Sequence, residues 1–242
     1  MSLWFENFKK QFVLNFVTDN RWRYLVNGLG VTLKITFFSL IFGSAIGLVV
    51  AIIRSTYDKN WQTMRRGLGR FLLGLINRMC EIYITLIRGT PLVLQLLIFY
   101  FVIFVSIRDG VLVGILGFTI NAGAYIAEIF RSGIMSIDVG QFEAGRSLGF
   151  NYMRTMQYIV IPQAFKVVLP TLVNEFIVLL KETAVVGYLA VQDLTKAADI
   201  IRGRTFSPLM PLIGAALIYL CIVMLFTLLA QKLERRLRDS ER

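Results

Sequence analysis

Asn121, Tyr125, Glu128 and Ser132 recur at i, i+4, i+7 and i+11 inside an otherwise apolar stretch, which puts them on one helical face. A carboxylate turned toward hydrocarbon costs roughly 2.5–3.5 kcal/mol on insertion scales, so this stripe is expected to face a bundle interior or a water-filled cavity. Arg131 follows Glu128 three residues on. The pair reads equally as a self-neutralising contact and as a functional one. A second apolar stretch carries Asn174, Glu175, Lys181 and Glu182, with Thr171, Glu175, Val178 and Glu182 sharing a face. Such groups bind and orient a solute; they are not a set that breaks bonds. The chain has no histidine, which removes histidine triads, HExxH zinc sites and histidine proton relays. No catalytic residue and no metal site is expected. No GxxxxGK[ST] occurs either, so any ATP must be bound by a partner.

The elements that position these residues follow from composition. Of 242 residues 56% are hydrophobic, above the roughly 45–50% usual for a soluble domain. The apolar residues fall into runs about as long as a bilayer core is thick, roughly 20 residues. An all-α integral membrane protein is therefore expected. The formal charge of +11 is spread over the short segments between runs, where it orients a membrane protein; it is no nucleic-acid footprint. Cys80 and Cys221 both lie in apolar segments and read as free, buried thiols.

Five spans are expected. The first runs from about Val26 to Ile53, with Thr32, Thr36, Ser39, Gly43 and Gly47 making a narrow face suited to close helix packing. Phe71 to Ile107 is broken by Arg88-Gly89-Thr90-Pro91, because proline removes a backbone donor and disfavours helix before it. It reads as one kinked span, with a full extra crossing as the alternative. The third span covers about Val111 to Met135, the fourth about Phe165 to Tyr188, and the fifth about Leu209 to Ala230. Val191 to Ser207 reads as an outer loop of mixed charge. Basic residues after span one (Arg54, Lys59, Arg65, Arg66, Arg70) and in the tail (Lys232, Arg235, Arg236, Arg238, Arg242) place both on the cytoplasmic side, leaving the N-terminus outside. Residues 1–24, with Trp4, Phe5, Phe8, Phe12 and Trp22, read as an interfacial segment, residues 25–235 as the membrane domain, and 236–242 as a cytoplasmic tail.

One polar stretch interrupts the spans, the loop of about residues 136–162. Gly140-Gln141-Phe142-Glu143-Ala144-Gly145 reads as a turn and a helix start, and Ala144, Leu148 and Tyr152 then share an amphipathic face. Gly149 interrupts that helix, and Pro162 closes the segment before the next span. Such a helix either drops into a partner's groove or lies on lipid headgroups; the residues alone support both.

This loop resembles the coupling signature of ABC importer permeases, E-A-A, three residues, G, nine residues, I-x-L-P. Here it stands as Glu143-Ala144-Gly145, Gly149 and Ile159-Val160-Ile161-Pro162, with Gly145 for the second alanine and Ile161 for leucine. Gly28-Leu29-Gly30-Val31-Thr32-Leu33-Lys34, Ile87-Arg88-Gly89-Thr90-Pro91-Leu92, Ala124 to Arg131 and Leu180-Lys181-Glu182-Thr183-Ala184 are similar to the polar amino-acid branch of that family. Ala184 departs from a serine common there.

The resemblance implies a MetI-like type I importer fold of five transmembrane helices in a bacterial cytoplasmic membrane. It implies a second permease subunit (a copy or a close relative), two ATP-binding subunits that hold ATP and magnesium, and an extracytoplasmic solute-binding protein. Gly140, Gln141, Glu143, Ala144, Gly145, Leu148 and Gly149 would couple to the ATPase, whose closure would move spans two to five as a rigid unit. A polar amino acid, basic or glutamine-like, is the implied substrate. Candidates for its path, drawn from burial and face, are Gly89, Thr90, Gln95, Asn121, Tyr125, Asn174, Glu175 and Glu182. Backbone N–H groups at the Gly89-Thr90-Pro91 break are the expected anion donors. Glu182 beside Lys181 reads alternatively as a structural ion pair. A secondary transporter using the same carboxylates for ion coupling, or a membrane scaffold, is the competing class.

Overall fold

A computed structural model describes residues 2–62 and 64–239, all of whose regular elements are helical. The side chains of Trp4, Arg238 and Arg242 lie outside the described ones. The helices are α1 (Ser2–Phe12), α2 (Trp22–Asn60), α3 (Leu68–Arg88), α4 (Leu92–Ile98), α5 (Gly110–Met135), α6 (Val139–Ser147), α7 (Tyr152–Thr155), α8 (Ile161–Glu182), α9 (Leu194–Thr205) and α10 (Leu209–Asp239). Four unbroken helical runs are long and apolar enough to cross a membrane: Trp22–Asn60, Gly110–Met135, Tyr152–Leu189 and Leu209–Arg236. Leu68–Arg88 and Leu92–Ile103 reach that length only as a pair bent at residues 89–91, which makes the fifth. The kinked span is what the proline predicts. The fourth span differs from expectation, since helix begins at Tyr152 and continues through Pro162. A π-helical turn at Met156–Val160, closed by the Ile161 amide on the Met156 carbonyl, directly precedes the proline, and such a bulge lets the helix run on past a residue that cannot donate.

The chain divides into two compact units, each containing parts of several helices. The first comprises Met1–Phe38, Val93–Gly117 and Ile177–Leu229. Its core joins Leu25, Leu194, Ala197, Ala198, Ile201 and Ala215, with Phe16 and Tyr219 packed against them. The outer loop expected at Val191 to Ser207 is thus mostly a helix, because Leu194, Ala197, Ala198 and Ile201 form an apolar stripe beneath the charges. Asp193 caps α9, accepting from the amides of Lys196 at 2.8 Å and Thr195 at 3.0 Å. Burial pushes its carboxyl above the usual range, and those donors pull it back. The N-terminal segment, read in sequence as interfacial, is docked on α9. Asn15 is fully buried and accepts from Thr205 Oγ1 at 2.7 Å, while Phe5, Phe8 and Phe12 stay exposed.

The second unit comprises Ser39–Leu92, Phe118–Phe176 and Ala230–Arg242. Here α5 is clasped by its neighbours: Val50, Cys80, Ile84, Ala124 and Ala127 form one core, and Tyr83 donates to the Ile120 carbonyl at 2.6 Å. Cys80 is buried and free as expected, but Cys221 is exposed on α10. The close packing expected of Gly43 and Gly47 is realised against α5. A Cβ on Gly43 would stand 3.1 Å from Ala122 Cβ, and one on Gly47 2.9 Å from the Ala127 amide nitrogen and 2.8 Å from Ile126 Cγ2. The second half of α2 therefore lies in the same compact unit as α6. Gly47→Ala is expected to cost about 1–3 kcal/mol of stability, seen as a lower melting temperature of the detergent-solubilised protein. Gly30→Ala, where no heavy atom lies within 4 Å of the added carbon, should leave it unchanged.

Candidate functional site

The coupling stretch is built inside the second unit. Asp138 caps α6 by accepting from the Gly140 amide at 2.6 Å. The helix ends at Gly149, whose φ of +78° is the left-handed conformation glycine adopts at a helix end. Phe150 and Gly149 amides close that end on the carbonyls of Gly145 (3.0 Å) and Arg146 (2.9 Å). Helix α6 turns Phe142 and Gly145 inward. Glu143, Ala144, Arg146, Ser147 and Leu148 are exposed, Leu148 at 71%. Tyr152 does not share a face with Ala144 and Leu148 as the spacing suggested, because the chain turns at Gly149 and restarts a helix at Tyr152 under an Asn151 cap. Gly140 is exposed and Gln141 half-buried, accepting from Gln163 Nε2 at 3.0 Å, which ties α6 to α8.

Gly145 has a separate part. A Cβ there would lie 2.6 Å from both Thr155 Cγ2 and Oγ1. The glycine that replaces the signature's second alanine is thus what lets the inward side of α6 rest on α7. Phe142 meets Lys59, whose Nζ stands 3.4 Å from its ring centroid, and the Tyr152 ring, stacked at 6.3 Å.

The stripe on α5 opens on a cleft of about 560 Å³ in the same unit, lined by Arg88, Tyr125, Glu128, Ser132, Thr171 and Glu175 among others. The structure therefore brings Tyr125 and Glu175 together. Asn121 is buried in the same unit, whereas Gln95 and Glu182 belong to the first unit. Asn174 is exposed beside Glu175. Glu128 meets Arg131 at 3.2 Å as its spacing suggested, and Arg131 also reaches Asp58 at 3.2 Å, so one guanidinium joins the end of α2 to α5.

At the kink, Gly89 N–H donates to the Thr85 carbonyl at 2.9 Å, and Thr90 Oγ1 donates to the Leu86 carbonyl at 2.7 Å. Pro91 has no amide hydrogen. The Gly89 amide expected to meet an anion is therefore occupied, because the last turn of α3 closes on itself. The positive charge at this place is Arg88, whose guanidinium stands 5.4 Å from the Tyr125 ring centroid. Sequence reading treated Arg88 as part of the break, although a basic residue beside a helix break in a span was a signal of this role.

These features, five spans with a capped polar helix between the third and fourth, agree with the comparisons. A family described as the binding-protein-dependent transport system inner membrane component matches residues 64–239. The chain belongs to this family. Among its relatives, the putative glutamine transport system permease protein GlnP of Rickettsia bellii (strain RML369-C) is 36% identical over 217 residues, 88% of this chain and 93% of that one. A crystal structure of an amino acid ABC transporter with histidines has a subunit 37% identical, at a TM-score of 0.77, covering 91% of this permease and 97% of that chain. An inward-facing structure of the MetNI methionine ABC transporter shares the fold, with a TM-score of 0.73 and 20% identity over 89% of this permease and 97% of that chain. The MetI-like architecture expected from the loop signature is the one found.

The permease's glycine at the signature position can be tested directly. Gly145→Ala restores the alanine of the family pattern, yet is expected to lower stability by about 1–3 kcal/mol through its clash with Thr155. Adding Thr155→Ala removes the two crowding atoms and should recover most of the loss, measured as melting temperature in detergent.

Proposed function

We propose that this permease is the transmembrane subunit of an ATP-driven importer for polar amino acids, coupled to its ATPase through the Glu143–Gly149 helix. The observation that carries this reading is a helix capped at both ends and anchored on one side, whose Glu143, Ala144, Ser147 and Leu148 all remain exposed. A short helix fixed this firmly with small and apolar side chains outward suits a groove on another protein. In this reading two ATP-binding subunits dock from the cytoplasm, hold the ATP and magnesium, and hydrolyse it. A second permease, a copy or a close relative, completes the path, and an extracytoplasmic binding protein delivers the substrate. The membrane is the bacterial cytoplasmic one, with the N-terminus outside and the C-terminus in the cytoplasm. Residues 25–235 form the transport domain.

The cleft on α5 supports an amino-acid substrate. At about 560 Å³ it falls within the roughly 300–1,000 Å³ of small-molecule sites. Arg88 can take a carboxylate and Glu175 an ammonium, while Tyr125 and Thr171 add hydroxyls. This assigns to Arg88 the anion contact first expected of the Gly89-Thr90 backbone. Gly89 and Thr90 shape the kink that places it, and Asn121 and Asn174 of the same unit remain candidates for the path, as do Gln95 and Glu182 of the first unit. The glutamine named for one relative and the histidines of one solved transporter, at nearly equal identity, support a polar side chain of the basic or glutamine-like kind.

Glu143→Lys in the complete complex is expected to weaken co-purification of the ATPase by about tenfold or more and to abolish uptake of labelled L-glutamine or L-histidine, with membrane insertion unchanged. Normal docking and uptake would refute the coupling role. Sidedness has its own test, with Cys221 replaced by serine to remove the exposed native thiol. Ser147→Cys should react with a membrane-impermeant maleimide in inside-out vesicles and not in right-side-out ones; the reverse pattern would overturn the topology.

A further inference from the structure

The docking helix is joined through the backbone to α5 on one side and to α7 and α8 on the other. Motion of α6 therefore reaches those helices through the chain. Helix α2 has no such connection, since two helical spans separate it from α6 in sequence. Yet its cytoplasmic half lies in the same compact unit, with Gly43 and Gly47 pressed against α5. Those glycines tie α2 to α5; what ties the end of α2 to α6 itself is a side-chain contact.

One contact has the right position. Lys59, in the last turn of α2, holds its ammonium 3.4 Å from the centroid of the Phe142 ring. Tyr152 stacks on that ring with 17° between the planes. Phe142 is 8% exposed. Even so, a cleft of about 430 Å³ opens beside it, lined by Lys59, Phe142, Arg146, Tyr152 and Thr155 among others. The Lys59 ammonium and the Tyr152 ring are thus the contacts on Phe142 at the edge of this cleft. Asp58, one residue before, meets Arg131 of α5 at 3.2 Å. The α2 terminus thus touches the helix leading into α6 and α6 itself through consecutive residues.

The end of α2 is also tied onward. Trp61 stacks on Tyr57 with centroids 4.6 Å apart, and Arg70 of α3 lies 4.4 Å from the Trp61 ring centroid. A displacement received at Lys59 is handed to α3 through these rings.

We propose that Lys59 is a positioning residue for coupling: acting through Phe142, it makes α2 follow the docking helix when the ATPase closes. This rests on the coupling role proposed for α6. Without the contact, ATP hydrolysis continues, α5 and α8 still move, and α2 lags, so fewer substrate molecules cross per ATP.

The test uses the full complex with its ATPase and binding protein in proteoliposomes, and reads labelled L-glutamine or L-histidine transported per ATP hydrolysed. Lys59→Met keeps the stem and loses the charge; it is expected to lower that ratio roughly threefold to tenfold, the worth of a partly desolvated cation–π contact, with ATPase docking unchanged. Lys59→Arg, which keeps a cation over the ring, should restore it to within about twofold. Because Lys59 acts through the ring, Lys59→Met in a Phe142→Leu background should add nothing further. An unchanged ratio in Lys59→Met, an equal loss in Lys59→Arg, or additive losses in the double variant would each overturn the proposal. Should Lys59→Met fail to accumulate, the ratio in Phe142→Leu decides instead, unchanged coupling overturning the proposal. Glu143→Lys, run alongside, separates the two readings. If it uncouples while Lys59→Met does not, only the Lys59 inference falls; if it leaves docking and uptake intact, the coupling role of α6 falls first.

Discussion

The arrangement around α6 in this permease depends on how closely α2 approaches α5. Inside a bilayer, apolar burial offers little drive for one helix to prefer another over lipid, so association relies on van der Waals contact at short range. Gly47 supplies it: where a side chain would begin, Ile126 and the Ala127 backbone already stand within 3.0 Å. From that point α2 runs twelve residues, about 18 Å at the helical rise, to Lys59. The glycine contact thus aims Asp58 at Arg131 and Lys59 at Phe142, and a change of helix separation at Gly47 would misplace both.

The same economy shapes α6. A nine-residue helix is too short to persist alone in water, so its order comes from its surroundings: the Asp138 cap, the Gly149 closure, the Phe142 ring and the flat side made by Gly145. These fix the inward face and leave the other bare. The spacing of Glu143, Gly149 and Pro162 made the helix and its ends legible in sequence, but not its orientation. Ala144 and Leu148 read as a face for a partner's groove or for lipid, because apolar periodicity marks any covered face and does not say what covers it. Only a structure distinguishes the face covered by this chain from the face awaiting a partner.

Elsewhere legibility followed the strength of the local signal. The long apolar runs and the proline at residue 91 announced five spans, one of them kinked, since length and hydrogen-bond loss leave few alternatives. Helix α9 went unseen because Lys196, Asp199, Arg202 and Arg204 dominate its composition, although Leu194, Ala197, Ala198 and Ile201 carry a plain 3.6-residue period beneath them. The docking of Asn15 onto Thr205 joins residues remote in sequence, and no local pattern encodes such a contact. Pro162 misled for the opposite reason: a proline reads as a boundary, yet after a π-helical turn the helix runs on past it.

The intramembrane charges were legible as residues and illegible as a set. Read singly, Glu128, Arg131 and Glu175 are acidic and basic groups that a membrane tolerates only in company. The structure sorts them by partner. Arg131 is committed to Glu128 and Asp58 and works as a strut between helices. Arg88 and Glu175, of opposite sign, line one cleft with Tyr125 between the sequence segments that carry them. A bound zwitterion places opposite charges a few ångströms apart, and a site that offers both signs recognises it better than a cluster of one sign could. In the proposed site, the arginine at the kink suits a carboxylate better than the kink's backbone does. The Gly89 amide already closes the last turn of α3, and a group that must hold a helix end in place is poorly suited to release and regain an anion with every transport cycle.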